Sequence, residues 1–325
     1  MRVLVTGASG LLGRGVAQAL AERGEHVTVL QRRAAGLDGV REIRGSVEDA
    51  DAVERAATGQ DAVVHLAAKV SFTGSVEEFE RVNVGGTRVL LDAARRAGAT
   101  RFVQVSSPSV AHLGSSIVGA GAGAADPQRA RGNYARTKAA AEVEALGADR
   151  SGFAVVAVRP HIVWGPGDTQ LVQRVVDRAA AGRLPVLGSG AALVDTTYID
   201  NAVAALVAAV DRAEAVHGEA FVVTNGEPRP IADIMRAWCR AAGVSPPAWS
   251  IPPGLARAAG AVVEAAWTVL PSRLTRDEPP MTRFLAEQLS TAHWFDQRRT
   301  REVLGVTPTV SFDEGVARLA RHYAG

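Results

Sequence analysis

Tyr134 and Lys138 stand four residues apart in the alanine-rich run NYARTKAAAE, and Ser106, Ser107 and Ser109 close an earlier apolar run, VQVSSPSV. On a helix, positions i and i+4 share a face, so the phenol and the ammonium project together. Interconverting a ketone and an alcohol needs a hydride at carbon and a proton at oxygen, and a free phenol with a pKa of about 10 is a sluggish proton partner at neutral pH. A neighbouring ammonium lowers an acid's pKa by about 1–3. The expectation is therefore that Lys138 brings Tyr134 into a useful range while a serine hydroxyl holds the substrate oxygen in line. Any alanine-rich helix can carry such a pair, so the reading depends on the elements around it.

The first of these is VTGASGLLGRG, which follows an apolar strand and opens a helix. Gly7, Gly10 and Gly13 let the backbone turn tightly, approach a pyrophosphate and pack the helix on the sheet, with the helix N-terminus facing the anion. Ser9, Leu11 and Leu12 belong to the same cofactor-binding turn. The spacing is GxxGxxG, and its meaning comes from position: strand before, helix after, and a second strand ending near Leu30. A chain using NAD usually places an acid after that strand, whereas here Gln31 is followed by Arg32 and Arg33, whose guanidinium groups suit a 2′-phosphate. The expected cofactor is NADP(H).

The runs RVLVT, HVTVL, DAVVHL, RFVQVS, AVVAVR and AFVVT alternate with helix-like segments, the pattern of a parallel sheet covered on both faces. The fold class is α/β: a Rossmann-type, doubly wound parallel sheet with a smaller, discontinuous C-terminal substrate-binding region. Residues 1–164 and 195–224 are assigned to the NADP-binding domain, and 165–194 and 225–325 to the substrate region. The glycine- and alanine-rich stretch 114–133 has no periodicity and is expected to be a mobile loop, a candidate lid that also carries the neighbourhood of His112.

With 325 residues, 47% of them apolar, the chain has ample material for a core, and its net charge of +2 with scattered arginines argues against nucleic-acid binding. Cys239 is the single cysteine, which excludes a disulfide framework and fits a reducing, cytoplasmic setting. No segment has the length and polarity of a membrane span; the nearest, Gly254 to Pro271, is short and carries Arg257 and Glu264. The chain has no GxSxG elbow, HExxH or paired cysteines, so neither a hydrolase nor a metal site is expected.

The segments TGASGLLG, VVHLAA, VNVGGT, VSSPSV, YARTK, VRPHIVWGPGD and YIDNAV resemble the extended short-chain dehydrogenase/reductase superfamily. That resemblance implies a triad of Ser107, Tyr134 and Lys138, with Asn83 supporting it from a neighbouring helix. It implies that Leu66 and Ala67 line the adenine and ribose side of the cofactor, that Lys69 is a further cofactor-binding residue, and that Pro160 to Ile162 pass the nicotinamide. Where the superfamily usually has Asp contacting adenine, this chain has Ser46.

Further along, TNGEP and PMTRFLAEQLSTAHWF are similar to the 3β-hydroxysteroid dehydrogenase-like branch, and within it to the 2-alkyl-3-oxoalkanoate reductases of bacterial long-chain olefin biosynthesis. The implied reaction is NADPH-dependent reduction of a long-chain β-keto acid to its 3-hydroxy acid. Partners compatible with it are that small molecule, a second copy of the chain, and the other enzymes of an olefin-synthesis assembly. Trp238, Trp249, Trp267 and Trp294, each also readable as core, are expected to add greasy surface to the substrate region, and Arg283 or His293 to meet the substrate carboxylate. The alternatives are a 3β-hydroxysteroid or sterol-4-carboxylate dehydrogenase and, from another class, a non-catalytic NADP-binding sensor or scaffold. Such proteins typically lose part of the triad, which is complete here.

Overall fold

A computed structural model describes residues 1–71, 74–112, 114–269, 287 and 289–325, with 264–269 described by backbone alone. In chain order the first strands are β1 (Arg2–Thr6), β2 (His26–Gln31), β3 (Arg41–Arg44), β4 (Ala62–His65), β5 (Arg101–Val105), β6 (Ile117–Ala120), β7 (Ala154–Pro160) and β8 (Val163–Trp164). The later ones are β9 (Val186–Leu187), β10 (Leu193–Val194), β11 (Thr197–Tyr198), β12 (Ala220–Val223), β13 (Arg229–Pro230), β14 (Ser250–Ile251) and β15 (His293–Phe295). Among the described residues, seven strands form one sheet in the order β12-β7-β5-β4-β1-β2-β3, and every pairing in it is parallel.

Helices cover both faces. Helix α1 (Leu11–Glu22) is followed by α2 (Ala50–Ala57), α3 (Val76–Phe79), α4 (Gly86–Arg96), α5 (Gly132–Gly147), α6 (Val172–Ala180) and α7 (Ile199–Arg212). The period-2 alternation of a strand sends Val3 and Val5 of β1 to one face, where they pack with Leu20 of α1 and Leu206 of α7. Leu4 goes to the other face and joins Val53 of α2 and Leu90 of α4. The strand order reverses between β1 and β4, so the crevice beyond their carboxyl ends is where such a sheet takes a ligand.

Helices α8 (Ile231–Ala241), α9 (Pro253–Val269), α10 (Arg298–Glu302) and α11 (Phe312–Ala324) follow among the described residues. A second core gathers Trp164, Val176, Leu184, Tyr198, Trp238 and Phe312, with the Trp164 ring 5.5 Å from that of Trp238. Strands β13, β10, β15 and β6 form a separate four-stranded sheet among the described residues. This corrects the expectation of an unstructured 114–133 loop: Ile117 and Val118 pair in parallel with His293 and Trp294, and Gly119, at φ 63°, fits where a Cβ would come within 2.9 Å of the Trp294 ring. The pairing partner lies far along the chain, so no local periodicity announces it.

Candidate active site

The glycine turn closes against the end of β4. Gly7 has φ 78°, and a Cβ on it would lie 2.9 Å from the backbone nitrogen of Ala67; a Cβ on Gly13 would lie 2.4 Å from the Gly7 carbonyl oxygen. The protein's own packing thus demands glycine at both positions. Gly10 differs, because a Cβ there meets nothing closer than the Gly7 oxygen at 3.5 Å. Gly10 is also the N-cap of α1, and no side chain caps its first turn. Uncapped N–H groups at a helix start, next to a glycine whose missing side chain leaves open space, fit the pyrophosphate of a dinucleotide. Ser9 is exposed in this turn, and Leu11 and Leu12 begin the helix. Arg32 and Arg33 are exposed just beyond β2, and Ser46 donates to Glu48 at 3.1 Å.

The contrast between the glycines gives a test. Gly10→Ala should leave the urea midpoint of the cofactor-free protein nearly unchanged while weakening dinucleotide binding by about tenfold or more. Gly13→Ala should lower the midpoint itself, because backbone must move.

A hydrogen-bond chain ties this crevice to α5, the helix of Tyr134 and Lys138. Ala67 N–H donates to Thr6 Oγ1 at 3.1 Å, and Thr6 Oγ1 lies 2.7 Å from His65 Nδ1. With that hydroxyl donating to Nδ1, His65 carries its proton on Nε2, 3.1 Å from Thr87 Oγ1, which donates to the Asn83 carbonyl at 2.6 Å. Burial, with the charge of Lys138, holds His65 down at about 3, so the ring is neutral. Asn83 sits in a π-helical turn, Glu80–Gly85, that links α3 to α4. Its Oδ1 accepts from the Lys69 backbone at 2.7 Å, and its Nδ2 donates to the Lys69 carbonyl at 3.3 Å and to Thr137 Oγ1 at 3.0 Å. The amide therefore fixes α5 one residue before Lys138. Lys69 spends its ammonium on Glu78 at 2.8 Å, leaving its backbone for Asn83.

Ser107 ends the β5 run and caps a 3₁₀ turn, Pro108–Ala111. Tyr134 and Lys138 stand on α5, and Lys138 Nζ donates to the Val105 carbonyl at 2.6 Å. Protein packs around the Tyr134 hydroxyl although part of the side chain remains accessible. Burial pushes this phenol up to about 12, against a smaller lowering by its hydrogen bond with Ser107. In the free protein the phenol is therefore raised, and not lowered by Lys138 as expected: burial dominates, and the lowering that acts on it comes from Ser107. Burial also holds Lys138 down at about 8, with Glu142 pulling it upward.

Ser107, Tyr134 and Ile162 line one cavity of about 380 Å³, together with Val70, Phe79, Leu171, Ile231 and Phe295. Ile162 has φ 47°, the only positive φ outside glycine among the described residues, and a β-branched residue there stores about 1–3 kcal/mol of strain. It is held by neighbours on both sides: His161 Nδ1 lies 2.6 Å from the Asp195 carbonyl, and Thr197 N–H donates to the Ile162 carbonyl at 3.2 Å. Pro160, the last residue of β7, is buried beside them.

His112, His161 and His293 line the cavity too. His112 is 2% exposed, and its Nε2 lies 3.0 Å from Nε2 of His293. Burial lowers all three, His161 to about 4 and His293 to about 3, so they are neutral at physiological pH. Among the described residues no group of His, Cys, Asp and Glu is placed to hold a metal. Trp238, Trp249 and Trp294 do not line this cavity: Trp238 is in the second core, and Trp249 is exposed on the surface, while the side chain of Trp267 lies outside the described ones. The apolar walls come from smaller aliphatic residues and phenylalanines instead. Arg283 lies outside the described residues.

A doubly wound sheet with a glycine cradle at its switch point, and a serine and a tyrosine on the wall of an apolar cavity, are the features of an NAD(P)-dependent oxidoreductase. The model of the "NAD dependent epimerase/dehydratase family" matches residues 3–224, and the chain belongs to that family. It is 41% identical to a 2-alkyl-3-oxoalkanoate reductase of Stenotrophomonas maltophilia over 98% of both chains. It is 35% identical to a 2-alkyl-3-oxoalkanoate reductase of Shewanella oneidensis, over 97% of this chain and 84% of that one. Among solved structures, MoeE5 in complex with UDP-glucose and NAD superposes with a TM-score of 0.76 at 23% identity, over 100% of this chain and 99% of that one, a likeness of fold. No helix among the described residues is long and apolar enough to cross a membrane.

Proposed function

We propose that the protein reduces a 2-alkyl-3-oxoalkanoate to the 2-alkyl-3-hydroxyalkanoate with NADPH, as a step of long-chain olefin biosynthesis. The observation that carries this reading is the apolar cavity opening on Ser107 and Tyr134, in a chain similar over nearly its whole length to 2-alkyl-3-oxoalkanoate reductases. Bound NADPH supplies the hydride. Ser107 donates to the ketone oxygen and orients it. Tyr134, with its pKa at about 12, holds its proton at neutral pH and passes it to that oxygen as the charge develops there. The ammonium of Lys138, one helical turn further along α5, is the cation assigned to the phenolate that results. Asn83 positions α5 through Thr137. Arg32 and Arg33, in place of the acid that would hold a ribose diol, favour the 2′-phosphate.

The test follows NADPH and NADH consumption with a racemic 2-alkyl-3-oxo acid and, in parallel, a 3-oxosteroid. The expected result is turnover of the keto acid with NADPH, and a preference for NADPH over NADH that falls by about tenfold or more when Arg32 and Arg33 are both replaced by Ala. Turnover of the steroid alone, with NADH, would sink both the substrate and the cofactor.

A further inference from the structure

We propose that Ser109 reads the substrate carboxylate while Ser107 holds the ketone oxygen, so that two adjacent hydroxyls recognise the β-keto acid as a unit. The inference rests on the reductase reading above. It starts from the 3₁₀ turn after β5: Ser107 Oγ accepts the Ser109 N–H at 3.3 Å, and the Ser109 hydroxyl donates to the same oxygen at 2.9 Å. Both side chains are half-buried and both line the cavity.

The two oxygens of a 3-oxo acid, one on the ketone and one on the carboxylate, are in a 1,3 relation. When they lie on the same side they stand about one hydrogen-bond length apart. A pair of donors at 2.9 Å matches that pair of acceptors. When substrate enters, the Ser109 N–H keeps one Ser107 lone pair occupied, so Ser107 can aim its own proton at the ketone. The Ser109 hydroxyl is then free to rotate from a neutral oxygen to an ionised one, the stronger acceptor. Arg131 lines the same cavity and brings a guanidinium to it, although it also pairs with Glu287 at 2.9 Å.

The arrangement has a chemical consequence. A 3-oxo acid loses CO₂ through a ring in which the carboxyl proton passes to its own ketone oxygen. With the carboxylate ionised on Ser109 and the ketone held by Ser107 and Tyr134, no such proton is present. The hydride adds to C3, the Tyr134 proton goes to the oxygen, and the bond to the carboxylate carbon stays intact.

The experiment runs the reaction backwards, following NADP⁺ reduction with a 2-alkyl-3-hydroxy acid, which is stable to CO₂ loss, and with the secondary alcohol of the same chains lacking the carboxyl group. Ser109→Ala should lower kcat/KM for the acid by roughly ten- to a hundredfold and leave the alcohol within about twofold, while Ser109→Thr, which keeps a hydroxyl, recovers the acid. An equal loss on both substrates would make Ser109 a prop for Ser107 and overturn the proposal, as would no loss on the acid. A wild-type protein inert on the acid but active on the alcohol would overturn the reductase reading and this site with it, a result distinct from the other two.

Discussion

Tyr134→Phe is expected to lower kcat for the keto acid by about 10²–10⁴-fold while leaving NADPH binding nearly unchanged, as measured by single-turnover kinetics and fluorescence titration. The ring stays, so the packing of α5 and the cavity wall persist, and only the proton is lost. Retained turnover would remove Tyr134 from the chemistry and pass the proton-donor role to another group on the cavity wall. The pH profile carries a second signature. Burial raises the phenol to about 12, above its ordinary 10, so it remains protonated through the whole working range and contributes no basic limb below that value. Lys138, held down at about 8, is the group that sheds its proton as pH rises. Reduction should therefore fall above a pH of about 8, because the phenolate left on Tyr134 loses its cationic neighbour.

What the sequence disclosed about this site follows from which interactions are local. Six strands of the main sheet could be read directly, because parallel strands buried on both faces are nearly continuous apolar runs, as β7 is from Ala154 to Val158. The seventh, β3, reads Arg-Glu-Ile-Arg; it lies at the sheet edge, where charge is tolerated and even protective, so its composition hides it. β6 was hidden for a different reason: its ladder is supplied by β15, distant in sequence, and glycine on both sides suggests a loop. The same long-range pairing buries His112 against His293, which no local pattern could indicate. The Tyr134–Lys138 spacing was readable because it is helical. The direction of the Tyr134 shift was not, since desolvation depends on what the rest of the chain packs around the hydroxyl.

The second large effect concerns Arg159 and Glu142, whose side chains are each 1% exposed. Arg159 Nε donates to Glu142 Oε2 at 2.9 Å, its Nη2 pairs with the other carboxylate oxygen and reaches the Gly123 carbonyl at 3.2 Å, and its Nη1 donates to the Ala122 carbonyl. One guanidinium thus fastens the 114–133 segment to β7 and to the catalytic helix. Arg159→Met leaves a buried carboxylate uncompensated and should cost about 3–5 kcal/mol in urea denaturation. Glu142 lies one helical turn beyond Lys138 and raises that ammonium, so loss of the Glu142 charge or of its position withdraws support from Lys138. The basic limb of the rate profile should then move below pH 8. Combining Arg159→Met with Glu142→Leu separates the two roles. Replacing both partners by apolar groups of similar volume is often nearly neutral for stability, so the double variant should recover most of the lost urea resistance. It still lacks the Glu142 charge, so the displaced limb should remain. Recovery of both properties together would mean that the pair serves packing alone and leaves the charge of Lys138 to burial.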